Sequence, residues 1–308
     1  MSDVPYRCGW VAVIGPPNAG KSTLLNTYLG QKVAIVSPLP QTTRNQITGI
    51  LSDEEAQVLF MDTPGILQTR GKMNRLLAQS AWNALRGADV VCVMLDADLS
   101  VRRPDFMEND LAPLRKPVAE ETRPVFVIAN KVDLLGDKSR MLPLLETLHE
   151  WWPQAEIFPT SALKGEGLPG LLAAIKKELP EAEAQFPVDQ ISTLPMRFMV
   201  AEIVREKLFL SLKQEVPYST AVDIEAWQED PNTGHVTINA VIYVGRPGHK
   251  AIVIGRAGAN LKNVGQTARK EIETLLERKV RLELWVKVKD NWMDDTAVLH
   301  SLGLGIQE

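Results

Sequence analysis

The chain reads as a doubly wound α/β domain with a mostly parallel sheet, followed by a smaller α+β domain. Three observations predict this. Short, β-branched apolar runs alternate with helix-patterned stretches over residues 5–180. That pattern lapses from Leu179 to Pro195, where Pro180, Pro187 and Pro195 break the chain. Beyond it come one helix, two alternating strands, a glycine loop opening a helix, and a last strand. At 308 residues the chain exceeds most single cores. The expected division is a first domain over 5–180, a linker over 181–195, a second domain over 196–290 and a tail over 291–308.

The first strand, Trp10-Val11-Ala12-Val13-Ile14, leads into Gly15-Pro16-Pro17-Asn18-Ala19-Gly20-Lys21-Ser22, which fits G-x-x-x-x-G-K-[ST]. After it, Thr23 to Leu29 has leucines at helical spacing and stops at Gly30. Backbone N–H groups of such a loop and of the first helical turn point at an anion, and the helix dipole favours negative charge there. Gly15 and Gly20 supply torsions that a Cβ would obstruct. Lys21 offers an ammonium to the β- and γ-phosphates, and the Ser22 hydroxyl is available to Mg²⁺. Residues Gly15 to Thr23 therefore predict a nucleotide-phosphate site.

Three further motifs follow apolar strands. Val58-Leu59-Phe60-Met61 ends in Asp62-Thr63-Pro64-Gly65, where Asp62 can hold Mg²⁺ and the Gly65 N–H can sense a γ-phosphate. Val125 to Ala129 runs into Asn130-Lys131-Val132-Asp133. The Asp133 carboxylate can accept from both the ring N–H and the exocyclic amine of guanine, a donor pair that adenine lacks. Asn130 can stabilise the loop and reach the base, and the Lys131 stem can lie against its face. Ile157-Phe158-Pro159 leads to Thr160-Ser161-Ala162-Leu163-Lys164, whose N–H groups face the guanine carbonyl in this reading. In that order, each after its own strand, the motifs specify GTP or GDP. Ligand loops of such a sheet lie at the carboxyl ends of its strands.

Val36 to Gln46 is rich in proline and threonine and is expected to be a mobile loop. Thr42 and Thr43 are candidates to ligate Mg²⁺ while a γ-phosphate holds the loop closed, and Thr43 is preferred. A second mobile stretch is expected from Ile66 to about Asn74. The polar segment Arg102 to Thr122, with three prolines, is expected to form surface structure around a helix.

Composition narrows the chemistry further. Cys8 and Cys92 are the two cysteines, and Cys92 lies inside an apolar run. Neither a disulfide framework nor a zinc pattern is indicated, which fits a reducing cytosol. His149, His235, His249 and His300 are scattered, which argues against a histidine metal site or triad. The N-terminal residues lack the blocks of a signal peptide, and no apolar run reaches bilayer length. Net charge is −4, yet Arg246 to Lys270 carries Arg246, Lys250, Arg256, Lys262, Arg269 and Lys270 without one acid.

That basic stretch surrounds the second domain's glycine loop. Phe198 to about Lys213 has helical periodicity, and Val222 to Ala226 and Val236 to Val244 alternate as strands around a turn at Asp230 to Gly234. Ala251-Ile252-Val253-Ile254 opens into Gly255-Arg256-Ala257-Gly258, a helix follows from Ala259 to about Lys279, and Val280 to Lys289 closes the domain. With Ala251–Ile254 taken as strand context, the order is α-β-β-α-β. It resembles a type II KH fold, whose G-x-x-G loop clamps a single-stranded backbone. Glycines allow phosphates close approach, and Arg256 and Lys262 neutralise them. Ile252, Ile254, Leu261 and Val264 are expected to form an apolar groove for bases. The RNA-binding set is thus Ile254, Gly255, Arg256, Ala257, Gly258, Leu261 and Lys262.

Taken together, Gly15–Ser22, Gln41-Thr42-Thr43-Arg44, Asp62–Gly65, Asn130–Asp133 and Ser161–Leu163 resemble the translation-factor-related bacterial GTPases. With the KH-like domain included, the chain is most similar to the Era family. That resemblance implies a P-loop GTPase domain, a KH domain, cytosolic GTP hydrolysis with Mg²⁺, and a role in small-subunit (30S) ribosome maturation. It further implies binding to the 3′ region of 16S ribosomal RNA by a monomer, and it permits peripheral contact with the inner face of the cell membrane.

Hydrolysis sets this chain apart from Ras-like switches, where a glutamine after D-x-x-G orients the attacking water. Ile66 holds that position here and can neither donate nor accept. Slow intrinsic turnover is expected, with chemistry supplied by backbone groups, metal ions or a partner. Asn18 matches the asparagine that similar GTPases use to hold K⁺ against the phosphates, the alternative being that it only hydrogen-bonds the loop; Asn18, Lys21, Thr43 and Gly65 form the expected catalytic set. Two alternatives remain open: an RNA-binding scaffold that uses GTP structurally, and a GTPase tied to RNA modification. Asp290 to Glu308 offers no function that its residues reveal.

Overall fold

The computed structural model describes residues 5–37, 43–44, 46–66, 72–295 and 299. The chain forms two compact units, one mainly from residues up to Thr193 and one mainly from Leu194 onward. In chain order the first contains β1 (Arg7–Ile14), α1 (Lys21–Leu29), β2 (Ile47–Ser52), β3 (Ala56–Asp62), α2 (Lys72–Arg86), β4 (Val90–Asp96), α3 (Ala97–Arg102), α4 (Pro104–Ala119), β5 (Val125–Asn130), α5 (Leu142–Trp151), β6 (Glu156–Pro159) and α6 (Leu168–Glu178). The sheet runs β2-β3-β1-β4-β5-β6, with β2 antiparallel to β3 and every other pair parallel.

Continuous apolar runs explain why β1, β4 and β5 sit centrally. Val11 to Ile14, Val90 to Leu95 and Val125 to Ala129 are buried throughout, as strands covered on both faces must be. One core cluster joins Ile14, Val93, Leu95 and Val127 to Leu111, Leu114 and Leu148 from the helices and to Trp152, which follows α5. The polar segment after Arg102 is more regular than expected. Pro104 opens α4 in the first turn, where its missing N–H costs nothing. Met107, Leu111, Leu114 and Val118 form its buried stripe, while Pro113 and Pro117 lie within the helix.

The segment expected as a linker is pinned to this unit over much of its length. The Gln57 side chain is fully buried, and its Oε1 accepts the N–H groups of Gln185 and Phe186 at 2.8 and 3.0 Å. Further on, the Ile50 N–H donates to Ile191 O at 2.9 Å, and Ser192 Oγ donates to Thr48 O at 2.8 Å. β2 is an edge strand, and the 191–192 backbone covers part of that edge.

The second unit contains α7 (Met196–Ser211), β7 (Thr220–Glu229), β8 (Val236–Val244), α8 (Pro247–Ile254), α9 (Ala259–Leu276) and β9 (Val280–Val288). Its sheet runs β7-β8-β9; β7 and β8 are antiparallel, and β8 and β9 are parallel. A parallel pair needs a crossover, which α8 and α9 supply. The core places Val200, Val204 and Leu208 of α7 and Val264, Ala268 and Ile272 of α9 against Ile238, Ala240 and Ile242 of β8.

Two expectations for this unit are corrected. Ala251 to Ile254 belongs to helix α8 rather than to a strand, so the order is α-β-β-α-α-β and the glycine loop joins two helices. A short apolar run cannot be assigned by periodicity alone; Pro247 lies in the first turn of α8, where its missing N–H is tolerated. Val264 is fully buried in the core and cannot line a base groove. Among the described residues, no helix is long and apolar enough to cross a membrane.

Candidate functional site

Every phosphate and base motif of the first unit leaves the carboxyl end of a parallel strand. Gly15 follows β1, Asp62 ends β3, Asn130 ends β5 and Thr160 follows β6. The loops after β1 and β3 lie against each other. The Ile66 N–H donates to Gly15 O at 3.2 Å, and an ideal Cβ on Gly65 would come within 2.7 Å of the Pro17 backbone nitrogen. Only glycine allows that approach. Gly15 itself has φ 147°, and a Cβ there would stand 2.1 Å from Met94 O. Ala19 is buried, Pro17 half-buried, and Asn18 is exposed at φ 61° in the left-handed region.

Gly20 caps α1 in the left-handed region without a side-chain cap, and the first turn of α1 carries no acid. Such an uncapped helix start, with Lys21, Ser22 and Thr23 as its first residues, is suited to an anion. Lys21 is buried, and its Nζ donates to Gly15 O at 3.1 Å and Pro16 O at 2.8 Å. Burial pulls its ammonium down to about 8, opposed by the charge of Asp62. Burial likewise pushes the Asp62 carboxyl up to about 6, opposed by Lys21, Ser22 and the Thr63 backbone.

Three oxygens converge beside that lysine. Ser22 Oγ donates to Asp62 Oδ2 at 2.6 Å and lies 2.9 Å from Thr43 Oγ1. Asp62 Oδ1 is buried and has no hydrogen-bond partner among the described residues. Thr43 thus lies where a Mg²⁺ ligand is expected, whereas Gln41 and Thr42 fall outside the described residues. Thr63 Oγ1 donates to Val13 O at 2.9 Å and ties the D-T-P-G turn to β1; Pro64 follows, buried. Ile66 is buried in the core, so its side chain is directed away from any water-orienting role. Of the stretch expected to be mobile from Ile66 to about Asn74, residues 67–71 lie outside the described residues, and Lys72 to Asn74 instead open helix α2.

The base end is organised by Asn130. Its Nδ2 donates to Ala19 O at 2.7 Å, and its Oδ1 accepts the Ala162 N–H at 2.8 Å. Thr27 of α1 braces the same turn by donating to Ala162 O at 2.8 Å. Ser161 and Ala162 are buried while Leu163 is exposed. Asp133 is half-buried, and its carboxylate has no hydrogen-bond partner among the described residues. Sequence reasoning missed Asp96, whose Oδ2 accepts from Lys131 Nζ at 2.6 Å; Thr160, expected as an N–H donor to the guanine carbonyl, instead donates to Ala129 O at 2.9 Å and accepts the Val132 N–H at 3.0 Å. An acid closing the apolar run Val90–Leu95 ahead of a helix was the available signal for Asp96.

In the second unit, α8 ends at Gly255 with φ 73°, Ala257 has φ 51° and Gly258 has φ 77°. The tight turn is fixed by Asn260, whose Nδ2 donates to Val253 O at 3.0 Å. A Cβ on Gly255 would stand 2.8 Å from that of Asn260. Arg256, Ala257 and Lys262 are exposed, Ile254 and Leu261 are half-buried, and Ile252 is exposed. The first turn of α9 has no side-chain cap and no acid. The loop therefore offers bare backbone, an open helix start and two cations to a phosphodiester chain.

Comparison with known proteins agrees with a GTPase domain followed by a KH domain. Residues 10–131 match the family described as 50S ribosome-binding GTPase, and residues 215–293 match the KH domain. GTPase Era of Desulfovibrio desulfuricans is 60% identical over 304 residues, covering 99% of each chain. GTPase Era of Geobacter metallireducens is 43% identical over 303 residues, covering 98% of this chain and 99% of its own. A crystal structure of Era in complex with MgGDPNP and nucleotides 1506–1542 of 16S ribosomal RNA is 40% identical, with a TM-score of 0.89 over 98% of this chain and all of that one. An Aquifex aeolicus Era variant bound to GDP and aluminium fluoride has a TM-score of 0.88 at 40% identity, covering 97% of this chain and 100% of its own. The 50S description comes with a match confined to the first unit, whereas the relatives and solved structures span both. This chain belongs to the Era family of GTPases.

Proposed function

We propose that this chain is a GTP-hydrolysing switch of the cytoplasm that binds the 3′ region of 16S ribosomal RNA and acts in maturation of the 30S subunit. The observation that carries the reading is the convergence on one sheet edge of the uncapped α1 start, the Ser22–Thr43–Asp62 oxygen cluster and the Asn130 clamp beside the open Asp133 carboxylate.

Mg²⁺ fits the oxygen cluster. Asp62 Oδ1 is a buried acceptor without a partner among the described residues, and two hydroxyls stand beside Oδ2. One carboxylate with hydroxyls and phosphate oxygens is a magnesium donor set, whereas a cage of several acids is not found among the described residues. Ser22, Thr43 and Asp62 would hold the ion, which when bound neutralises charge on the phosphate oxygens. Lys21 brings a desolvated ammonium to the same phosphates, so its attraction for them is little screened. Gly65, which lies against Pro17 of the phosphate loop, is the residue whose N–H would meet the γ-phosphate.

Guanine recognition falls to Asp133; of the 161–163 turn, the Ser161 N–H donates to Glu166 O and the Ala162 N–H to Asn130 Oδ1, which leaves the Leu163 N–H to meet the base carbonyl. In Asp133→Asn the amide can donate to the extra carbonyl of xanthine but cannot accept from both guanine donors. GTP affinity is expected to fall about a hundredfold or more while XTP affinity rises. Unchanged nucleotide preference in that variant would overturn the guanine reading.

A second reading, GTP as a structural ligand of an RNA-binding scaffold, draws on one observation: Ile66 is buried and supplies no water-orienting group. Multiple-turnover hydrolysis with and without small-subunit RNA separates the two. The switch reading expects RNA to accelerate turnover, and a negligible rate in both conditions supports the scaffold.

A further inference from the structure

Asp96 ends β4 and stands opposite Asn130 in the parallel β4–β5 register. Its Oδ1 accepts the Leu99 N–H at 3.0 Å and so caps α3. Its Oδ2 faces the other way and accepts from Lys131 Nζ at 2.6 Å. The two side chains are only 19% and 29% exposed, so this pair is less screened than one on the open surface. Lys131 has φ 69°, a left-handed torsion that is uncommon for a residue with a long side chain. Such strain persists where the surroundings over-determine it. Here the Val132 N–H on Thr160 O and the ammonium on Asp96 hold the residue from both ends.

A lysine anchored at its tip and fixed at its Cα has little freedom left along its four-carbon stem. A loose lysine would surrender rotamer entropy each time a base packed on it. We infer that Asp96 is a positioning residue for guanine-nucleotide binding: by holding the Lys131 ammonium, it presets the lysine stem as one wall of the base pocket and slows nucleotide release. The inference rests on the guanine-nucleotide reading above. Asp96 touches neither base nor phosphate and acts through Lys131.

Asp96→Asn is the informative variant, because asparagine caps a helix as well as aspartate does but carries no charge for the lysine. GDP dissociation is expected to accelerate about tenfold, and KM for GTP to rise by a similar factor. The maximal hydrolysis rate is expected to stay within about twofold, since the base end takes no part in the chemistry. Combining Asp96→Asn with Lys131→Met is expected to bind GDP no worse than Lys131→Met alone. Unchanged GDP dissociation in Asp96→Asn would overturn the inference, as would additive losses in the double variant. Should Asp96→Asn fold poorly, Asp96→Ser caps through its hydroxyl and carries the same expectations. Failure of the guanine reading would look different, because the unaltered protein would then bind no GDP.

Discussion

Asn130 donates to the carbonyl of Ala19 across 2.7 Å, joining the base-reading loop directly to the phosphate loop. The fit explains a glycine: a Cβ on Gly20 would stand 2.2 Å from Asn130 Nδ2. With its Oδ1 on the Ala162 N–H, this one buried amide ties three loops together. Asn130→Ala strands a buried carbonyl and a buried N–H, at about 1–3 kcal/mol each. Thermal unfolding of the first unit is expected at least about 4 °C lower. GDP affinity is expected to fall at least tenfold, because phosphate and base ends lose their common brace. A calorimetric scan with and without GDP checks both, and an unshifted midpoint with unaltered affinity would count against the brace.

The partnerless Asp62 Oδ1 makes a prediction about metal. Chelating Mg²⁺ with EDTA is expected to weaken binding of a GTP analogue by tenfold or more, and of GDP by less. Asp62→Ala removes the carboxylate and is expected to abolish that difference. The readout is equilibrium binding of fluorescent nucleotides at fixed ionic strength. Identical affinities with and without chelator would contradict the assigned metal ligands.

Asn18 lies exposed on the phosphate loop while the Ile66 side chain is buried away from it. A monovalent cation held by Asn18 would supply positive charge at the phosphates, where Ile66 offers no polar group. Hydrolysis is expected to run several-fold faster in K⁺ than in Na⁺, and Asn18→Ala is expected to remove the difference. Equal steady-state rates in both salts for the unaltered protein would sink the K⁺ role.

The glycine loop of the second unit makes a quantitative prediction. Arg256 and Lys262 are exposed and are assigned to phosphates. Replacing either with alanine is expected to reduce the slope of log affinity against log salt by about 0.7 for a single strand. Gly258 has open space where its Cβ would be, so Gly258→Asp puts a carboxylate in the phosphate path and adds only backbone strain. RNA binding is expected to be lost while GTP binding is retained. An unchanged salt slope in both alanine variants would place the RNA elsewhere.

Much of this was readable before the structure because it depends on local chemistry. β8 spans Val236 to Val244 as its alternation indicates, and Gly30 ends α1 in the left-handed region with its N–H on Thr27 O. The phosphate and base motifs need fixed residue types at fixed spacing, and each was placed on its strand end. What escaped depends on tertiary partners. The α8 run is four apolar residues, too short for its period to show, and only packing decides between helix and strand. The 181–195 stretch has the composition of a free linker, yet Gln57, far away in sequence, captures it through backbone contacts that composition does not encode. Asp96 was passed over because its partner, Lys131, arrives from the neighbouring strand end. In the second unit, Val264 shares the apolar character of the groove residues, and only the three-dimensional core separates it from them.

The central claim is that nucleotide state governs RNA engagement. Affinity for an oligoribonucleotide of the 16S 3′ region, measured with a GTP analogue, with GDP and with no nucleotide at one stated salt concentration, tests it most directly. The account predicts affinity at least tenfold tighter with the GTP analogue than with GDP or no nucleotide. Equal affinities in all three conditions would contradict it.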